Sequence, residues 1–193
     1  MKYYIVAGEA SGDLHGSNLM KGLYREDPGA HIRFWGGPLR NAVFHENEEG
    51  EGLVEDYRAG AVMGVVEVLK KGPQLLKRVS RCKADIAAWR PDVVILIDYP
   101  GFNFKIARFA HRAGFKVFYY IAPKVWASRE GRIRRLREDV DRLFIVFPFE
   151  IPYFKKKGIP TLYLGNPLID AIDSSPALRG DRSGLPFLCL RAD

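Results

Sequence analysis

Residues 93–103 read Val93-Val94-Ile95-Leu96-Ile97-Asp98-Tyr99-Pro100-Gly101-Phe102-Asn103. The first five are all apolar and mostly β-branched, a pattern typical of a strand buried on both faces of a parallel sheet. Turn-forming residues then end the strand. Residues 104–113 carry apolar side chains at helical spacing, and Gly114 is placed to end that helix. A buried strand followed at once by a helix predicts a βαβ unit and therefore a parallel sheet.

Outward from this stretch, short apolar runs and longer helical stretches alternate along the chain. We predict strands at Tyr3–Ala7, Ile32–Trp35, Val93–Ile97, Val117–Ile121, Leu143–Phe147 and Thr161–Leu164. We predict helices at Leu14–Tyr24, Pro73–Trp89 and Phe104–Ala113. This alternation indicates an α/β fold in which helices flank a parallel sheet. The stretch Gly36–Gly60 is rich in glycine and acidic residues with little periodicity, so we expect it to be mostly loop.

Composition and charge exclude several classes of protein. The chain of 193 residues carries 30 Lys and Arg against 23 Asp and Glu, a net charge of +7, and it is 47% hydrophobic. These values exclude disorder and a collagen-like chain. The longest apolar run ends at Pro123 and falls far short of the roughly 20 residues that cross a bilayer. The basic excess could serve nucleic acid, anionic lipid or phosphorylated substrates, and charge alone does not choose among them.

The amino terminus and the cysteines suggest the compartment. No apolar segment with a cleavage site precedes the first strand, so we do not expect export. Cys82 and Cys189 have no paired spacing, which indicates neither a disulfide framework nor a zinc site. A reducing cytoplasm fits these features best.

The organisation of the chain changes after Leu164. Turn-forming residues cluster at 165–167, 174–176 and 180–184, a composition typical of a linker. Residues 185–190 look like the start of a further strand that only three residues follow. We therefore expect one domain over residues 1–165, followed by a linker and the start of a second domain over residues 166–193.

The first candidate site is the stretch Gly8-Glu9-Ala10-Ser11-Gly12-Asp13-Leu14-His15-Gly16. It joins the first strand to the first helix, where backbone N–H groups can cradle an anionic or sugar ligand. The glycines recur every four residues, which does not match G-x-G-x-x-G and argues against a nicotinamide site. The alternative is a structural turn in which Asp13 is the helix N-cap.

The second candidate is Asp98, which an apolar strand delivers to the edge where open α/β sheets bind ligands. Partial burial beside Tyr99 and Phe102 would raise its pKa and suit it to accept a proton from a hydroxyl. Asp98 is therefore the best candidate for a general base, and an Asx turn or helix cap is the alternative. We expect Asn103 to be the N-cap of the following helix.

The third candidate is Trp126, at the end of another predicted strand. Its ring could stack on a sugar or cover an acyl chain, and the alternative is ordinary core packing. A dense arginine run follows, consisting of Arg129, Arg132, Arg134, Arg135 and Arg137. A solvated helix face explains this run most simply, and contact with phosphate or anionic headgroups, extended by residues 155–157, is the other interpretation.

The fourth candidate is the apolar stretch Val62–Leu69, which we expect to begin a helix. Structural packing explains most of it, but Glu67 is an exception, because an acid that becomes buried needs a partner or a role. His15, His31, His45 and His111 show no ligand spacing, and neither H-E-x-x-H nor C-x-x-C occurs. We therefore predict no metal site.

Four motifs together make the chain resemble the lipid-A-disaccharide synthase family: G-E-A-S-G-D-L-H-G at 8–16, V-M-G-V-V-E-V-L at 62–69, I-D-Y-P-G-F-N at 97–103 and Y-I-A-P-K-V-W-A at 120–127. The resemblance implies a Rossmann-like parallel sheet with flanking helices, the amino-terminal half of a GT-B glycosyltransferase. It implies an inverting transferase without a cofactor, which joins UDP-2,3-diacylglucosamine to 2,3-diacylglucosamine 1-phosphate and releases UDP. Asp98 matches the aspartate proposed in that family to deprotonate the acceptor hydroxyl.

The resemblance also implies binding residues and partners. The implied substrate-binding residues are Gly8, Glu9, Ser11, Gly12, Met63, Glu67, Asn103 and Trp126. The implied partners are the UDP-linked acylated sugar donor, the acylated sugar phosphate acceptor and an anionic membrane surface. The protein would then be peripheral on the inner face of the cytoplasmic membrane, and nucleic acid is not expected. The alternative function is a non-enzymatic α/β module that binds anions or nucleic acid.

Two positions and the length depart from the family pattern. Residues 126–128 read W-A-S where the family usually has W-A-W, and residues 165–167 read G-N-P where it often has G-H-P. The match covers about residues 1–170, whereas family members carry a second domain that supplies most UDP contacts. We therefore infer an amino-terminal portion that holds the acceptor side and the catalytic base.

Overall fold

A computed structural model describes residues 1–44, 52–56, 71–126 and 130–169, and in them seven strands form one sheet flanked by helices. The strands are β1 (Lys2–Ala7), β2 (His31–Gly36), β3 (Gly52–Asp56), β4 (Val93–Ile97), β5 (Lys116–Tyr120), β6 (Arg142–Ile145) and β7 (Thr161–Tyr163). The helices are α1 (Ala10–Glu26), α2 (Pro38–Asn41), α3 (Lys71–Trp89), α4 (Pro100–Arg112), α5 (Ile133–Asp139) and α6 (Glu150–Lys156). A 3-10 turn, Glu130–Arg132, precedes α5.

The strand order is β3-β2-β1-β4-β5-β6-β7, and every neighbouring pair is parallel. The chain builds the sheet from β1 outward to β3, returns to place β4 beside β1, and then continues in the other direction. The direction therefore reverses between β1 and β4, whose register runs from Tyr3 opposite Val93 to Ala7 opposite Ile97. In open α/β sheets the carboxyl ends of the strands at such a switch point form the ligand crevice.

The sheet separates two hydrophobic layers. On one face, side chains such as Tyr4 and Leu96 pack with Ile86 of α3 and Phe102 of α4. On the other face, Ile5, Phe34 and Ile95 pack with Met20 of α1. All five residues of β4 are buried, as expected for a central strand of a parallel sheet.

The predicted strands are confirmed, with β4 at the predicted bounds and the others shifted by no more than two residues at an end. The predicted helices are also confirmed, but α1 and α4 both begin four residues earlier than predicted. Turn-like residues form their first turns: α4 begins at Pro100, and proline is favoured there because its missing N–H would have no partner in the helix.

Gly114 ends α4, as predicted. Its φ is +83°, and the N–H groups of Gly114 and Phe115 donate to the carbonyls of His111 and Ala110, both at 3.0 Å. This is the Schellman arrangement, in which a left-handed residue lets the chain turn back on the last helical carbonyls.

The prediction that Gly36–Gly60 is mostly loop is wrong for α2 and β3. β3 is an edge strand whose Glu55 pairs with Arg78 and Arg81 of α3. Charged residues have low strand propensity, so the local sequence of β3 does not indicate a strand. The ion pairs that stabilise it involve residues far away in the chain, which a local pattern does not include. Residues 45–51 and 57–60 of that stretch lie outside the described residues. Helix α6 was also not predicted, although its Phe154 is buried in the larger core layer.

Several predictions fall outside the described residues. These are the helix start at Val62–Leu69, with Met63 and Glu67, and the segment 170–193 with its expected strand. The domain boundary near residue 165 therefore stays a prediction. Across the ranges that the structure describes, no helix has both the length and the apolar character needed to cross a bilayer.

Candidate functional site

The main chain is strained at the carboxyl ends of β4 and β5. Asp98 and Tyr99 have φ values of +44° and +45°, and Ile121 has a φ of +64°. The left-handed conformation costs about 1–2 kcal/mol for a residue with a side chain, and it is most unusual for a β-branched one. Strain of this kind persists where the surrounding structure enforces it, and it clusters at functional sites.

Two buried donors hold the turn at Asp98. The Tyr119 hydroxyl donates to the Asp98 carbonyl at 2.6 Å, and Asn103 Nδ2 donates to the same carbonyl at 2.8 Å and to the Ile97 carbonyl at 3.1 Å. Burial raises the pKa of Tyr119 well above its usual value, so its hydroxyl remains a donor. The prediction that Asn103 is the N-cap is wrong: α4 begins at Pro100, so Asn103 lies inside the helix and reaches back to β4.

The Asp98 carboxylate is more basic than an exposed one. Burial raises its pKa, and this outweighs the opposing attraction of Lys124, the N–H of Tyr99 and His15. The direction agrees with the prediction from sequence. Burial likewise lowers the pKa of His15 against the pull of Asp98, and the buried Nδ1 of His15 has no hydrogen-bond partner among the described residues. The His15 imidazole and the Asp98 carboxylate therefore interact electrostatically at one site.

A cavity of about 270 Å³ opens at this strand end. It is lined by Asp98, Pro100, Ile121, Ala122, Pro123, Lys124, Val125 and Arg132. A carboxylate with a raised pKa thus shares a small cavity with two cations, which suits a substrate with both a hydroxyl and an anionic group. A larger groove of about 610 Å³ lies on the α1 side of the sheet, but its lining is mainly apolar and excludes Asp98. The smaller cavity is therefore the candidate site. Among the described residues no three His, Cys, Asp or Glu side chains are grouped to hold a metal ion.

The glycine-rich loop after β1 packs against the Asp98 turn. A side chain at Gly8 would clash with the Tyr99 ring, and a Cβ at Gly12 would lie 2.9 Å from the Cβ of Ala7. These glycines therefore let α1 approach the end of β4 closely. Glu9 and Ser11 are exposed at the start of α1. The structure thus brings Gly8 next to the Asp98 turn and leaves Glu9 and Ser11 open to solvent.

Asp13 is not the N-cap that the structural alternative for this loop assumed. Helix α1 begins at Ala10, and the buried Asp13 carboxylate accepts N–H groups of Gly37 at 2.8 Å and Leu39 at 3.0 Å. It also pairs with the buried Arg40, whose Nε lies 3.0 Å away. A Cβ at Gly16 would lie 2.8 Å from Arg40 Cδ, so the third glycine of the motif leaves room for this ion pair.

Trp126 does not lie in the core, so its alternative interpretation is wrong. Its side chain is 39% exposed, its Nε1 donates to Glu150 Oε1 at 2.9 Å, and its ring meets Phe149 edge-on at 4.9 Å. Glu150 is fully buried, and sequence reasoning missed it. Nothing in the local pattern separates this acid from an exposed one at a helix start.

The arginine run forms a solvated helix face, as the simpler interpretation held. Ile133 and Leu136 of α5 are buried, while Arg134, Arg135 and Arg137 are exposed. Arg132 lines the candidate cavity instead. Arg129 lies outside the described residues.

The sequence profile of the lipid-A-disaccharide synthetase family matches residues 3–185. The chain belongs to the lipid-A-disaccharide synthase family. Lipid-A-disaccharide synthase from Geobacter metallireducens is 47% identical over 171 residues, which are 89% of this chain and 43% of that protein. The Geobacter sulfurreducens synthase is 43% identical over 168 residues, 87% of this chain and 42% of its own length. The chain thus spans somewhat less than half the length of these members of the family.

Two solved structures have a fold similar to that of this chain. One is UDP-GlcNAc 2-epimerase from Neisseria meningitidis bound to UDP-GlcNAc. The match covers 90% of this chain and 48% of the epimerase chain, with a TM-score of 0.63 and 13% sequence identity. The other is the UDP-GlcNAc 2-epimerase from Methanocaldococcus jannaschii. The match covers 89% of this chain and 47% of the epimerase chain, with a TM-score of 0.61 and 17% sequence identity. At these identities the likeness shows the fold alone. With the seven-stranded parallel sheet, it confirms the predicted Rossmann-like amino-terminal half of the GT-B type.

Proposed function

We propose that this chain supplies the acceptor side and the catalytic base of a lipid-A-disaccharide synthase. The reaction joins UDP-2,3-diacylglucosamine to 2,3-diacylglucosamine 1-phosphate and gives lipid A disaccharide 1-phosphate and UDP. The observation that carries the proposal is the Asp98 carboxylate, made more basic by burial, in a cavity with Lys124 and Arg132 at the switch point of the sheet. Membership of the synthase family supports the reaction class.

In the proposed mechanism, Asp98 accepts the proton of the acceptor hydroxyl as that oxygen attacks the anomeric carbon of the donor. The new C–O bond forms on the face opposite the departing UDP, which leaves with the electron pair of the broken bond. A raised pKa favours this role, because it brings the proton affinity of the carboxylate closer to that required near neutral pH. The bonds from Tyr119 and Asn103 keep the base in position.

The cations and the glycine-rich loop are assigned to binding. Lys124 and Arg132 attract the acceptor phosphate, since both line the cavity that contains Asp98. Gly8, Glu9, Ser11 and Gly12 keep the substrate-binding role that the resemblance implies. Glu9 and Ser11 are exposed at the start of α1, whereas Gly8 and the buried Gly12 act through the close packing of the loop. Asn103 acts through the Asp98 main chain, and Trp126 contacts the acceptor outside the cavity. Met63 and Glu67, which lie outside the described residues, keep the binding role that the resemblance implies.

We further propose that the protein works at the inner face of the cytoplasmic membrane, where its acylated substrates reside. Exposed basic side chains on α5 and α6 support attraction to an anionic surface. The same charge would serve nucleic acid in the alternative function. Tight nucleic-acid binding with a steep salt dependence would favour that alternative, and no binding at moderate salt would reject it.

The test is a transfer assay with both substrates, with acceptor binding measured alongside. It uses the chain itself and a chimera in which the chain replaces the matching segment of the Geobacter metallireducens synthase. We expect the chain alone to bind acceptor without forming product, and the chimera to form product. Asp98→Asn in the chimera should lower transfer at least about 100-fold while acceptor binding persists.

Other outcomes have definite meanings. Product from the chain alone would show a complete donor site and overturn the acceptor-side assignment. Normal turnover by the Asp98→Asn chimera would remove Asp98 as the base. Absence of acceptor binding by both proteins would reject the proposed function.

A further inference from the structure

Three aromatic side chains form a surface beside the candidate cavity, here called the aromatic ledge: the exposed Trp126 and Phe149 and the half-buried Phe147. Phe149 meets Trp126 edge-on at 4.9 Å and stacks on Phe147 at 5.4 Å. Trp126 is 39% exposed and Phe149 is 53% exposed, and the neighbouring Ile151 is also exposed. Large apolar side chains exposed together, rather than singly, mark a binding surface.

A buried carboxylate fixes the ledge. Glu150 is fully buried, and its Oε1 accepts the Trp126 indole N–H at 2.9 Å. Its Oε2 accepts the N–H groups of Val146 at 3.2 Å and Phe147 at 3.1 Å. Burying a carboxylate is costly unless several donors surround it. The one residue therefore holds both ends of the ledge, the indole and the turn that carries Phe147 and Phe149.

The ledge continues from the cavity of the proposed base. Lys124 lines the cavity with Asp98, and its Nζ also lies 5.8 Å from the centre of the Phe147 ring. A ligand along this path meets first a carboxylate and a cation, and then the aromatic carbon of the ledge. This order of charge and apolar surface matches an amphiphile whose anionic head lies in the cavity.

We propose that Glu150 is a positioning residue that holds the aromatic ledge for the acyl chains of the acceptor. An acyl chain fits better than a sugar ring, because the only polar atom of the indole is already bonded to Glu150. The edge-on packing of Trp126 and Phe149 presents apolar carbon rather than one flat stacking face with polar groups at its rim. This inference rests on the proposed function, since it assigns the acyl chains of that acceptor.

The test compares diacylglucosamine 1-phosphate with glucosamine 1-phosphate, which lacks the acyl chains, as ligands of the full chain below micellar concentrations. We expect Glu150→Gln and Trp126→Ala each to weaken binding of the acylated ligand about tenfold and leave the Kd of glucosamine 1-phosphate unchanged. Glutamine has one acceptor oxygen and cannot serve all three donors. Glu138→Gln on the exposed face of α5 is the matched control and should change neither Kd. Equal losses for both ligands, or no loss for either, would overturn the inference.

A contact measurement separates positioning from general stability. Acceptor with brominated acyl chains should quench tryptophan fluorescence in the wild-type chain, and Trp126→Phe should remove most of that quenching. Unchanged quenching in Trp126→Phe would overturn the inference, because the bromine would then lie near another tryptophan. Quenching by vesicles of brominated phosphatidylcholine, without quenching by the brominated acceptor, would also overturn it in favour of a bilayer contact.

The two proposals fail in different ways. If the wild-type chain binds neither sugar phosphate, both the proposed acceptor site and this inference are rejected. If the wild-type chain binds the acylated acceptor and the Glu150 and Trp126 variants bind it equally well, the proposed function stands and only the role of the ledge is lost.

Discussion

At the scale of single residues, Asp98 combines backbone strain, burial and a raised pKa in one position. Its left-handed main chain is held by Tyr119 and Asn103, while its side chain enters a cavity that raises its pKa. Both features oppose folding, because a strained backbone and a buried carboxylate destabilise the native state. If this position served stability alone, neither a strained main chain nor a buried carboxylate would be expected there.

Asp98→Asn should therefore stabilise the protein at neutral pH. Because the folded-state pKa lies above the ordinary value of 3.8, the folded protein binds more protons than the unfolded chain between the two values. The free energy of unfolding of the wild type thus falls as pH rises through that window. The Tm of Asp98→Asn should exceed that of the wild type at pH 7 and converge with it below the ordinary pKa.

Thermal unfolding across the acidic to neutral range measures this difference. Asp27→Asn is a control of opposite sign, because the amino terminus lowers the pKa of Asp27 by hydrogen bonding. Its wild-type contribution is present above the ordinary pKa and is lost as pH falls through the folded value. A wild type that is more stable than Asp98→Asn at pH 7 would contradict the argument.

The buried pair of Asp13 and Arg40 should be a strong structural contact. Asp13→Asn leaves a buried guanidinium without its carboxylate, and breaking such a pair from one side costs about 3–5 kcal/mol. Glu138→Gln, which breaks an exposed pair with Arg134, should cost less than about 0.5 kcal/mol. Urea unfolding compares the two variants. Equal small losses would show that Asp13 does not stabilise the start of α2.

At the scale of elements, two helices end at left-handed residues of different types. Helix α4 ends at Gly114, whose φ is +83°, whereas α3 ends before Arg90, an exposed residue with a φ of +52°. Arg90→Gly should raise the free energy of unfolding by about 0.5–1 kcal/mol, because glycine removes the left-handed strain. Gly114→Ala should lower it by about 1 kcal/mol for the same reason. Urea unfolding of both variants tests this, and a loss of stability in Arg90→Gly would contradict it.

The elements also show where the sequence was informative. The apolar run of β4 and the helix after it follow from local composition, so their position was predictable. β3 was not predictable, because its Glu55 is stabilised by arginines of α3 that are more than twenty residues away in the chain. At the site, Asp98 was predictable from its place at a strand end. Glu150 was not, because its burial depends on Trp126, which approaches it only in the folded chain.

At the scale of the whole molecule, helices α5 and α6 both expose basic side chains. Exposed basic residues lie on two neighbouring helices: Arg134, Arg135 and Arg137 on α5, and Lys155 and Lys156 on α6. Arg137 bonds to the main chain just after α6, which joins the two helices into one basic surface. Basic groups clustered on one surface favour attachment at an anionic bilayer surface.

The chain should therefore bind vesicles that contain anionic lipid and not neutral ones. The double variant Lys155→Glu with Lys156→Glu should weaken this binding at least about tenfold, since each basic residue near the surface contributes about 1 kcal/mol. The matched control, Lys21→Glu with Arg25→Glu on α1, makes the same change of net charge on the opposite face of the sheet and should have a much smaller effect. Co-sedimentation at low and high salt measures both, because screening by salt reduces only the electrostatic part. Equal losses in the two double variants would mean that net charge, and not the surface of α5 and α6, governs attachment.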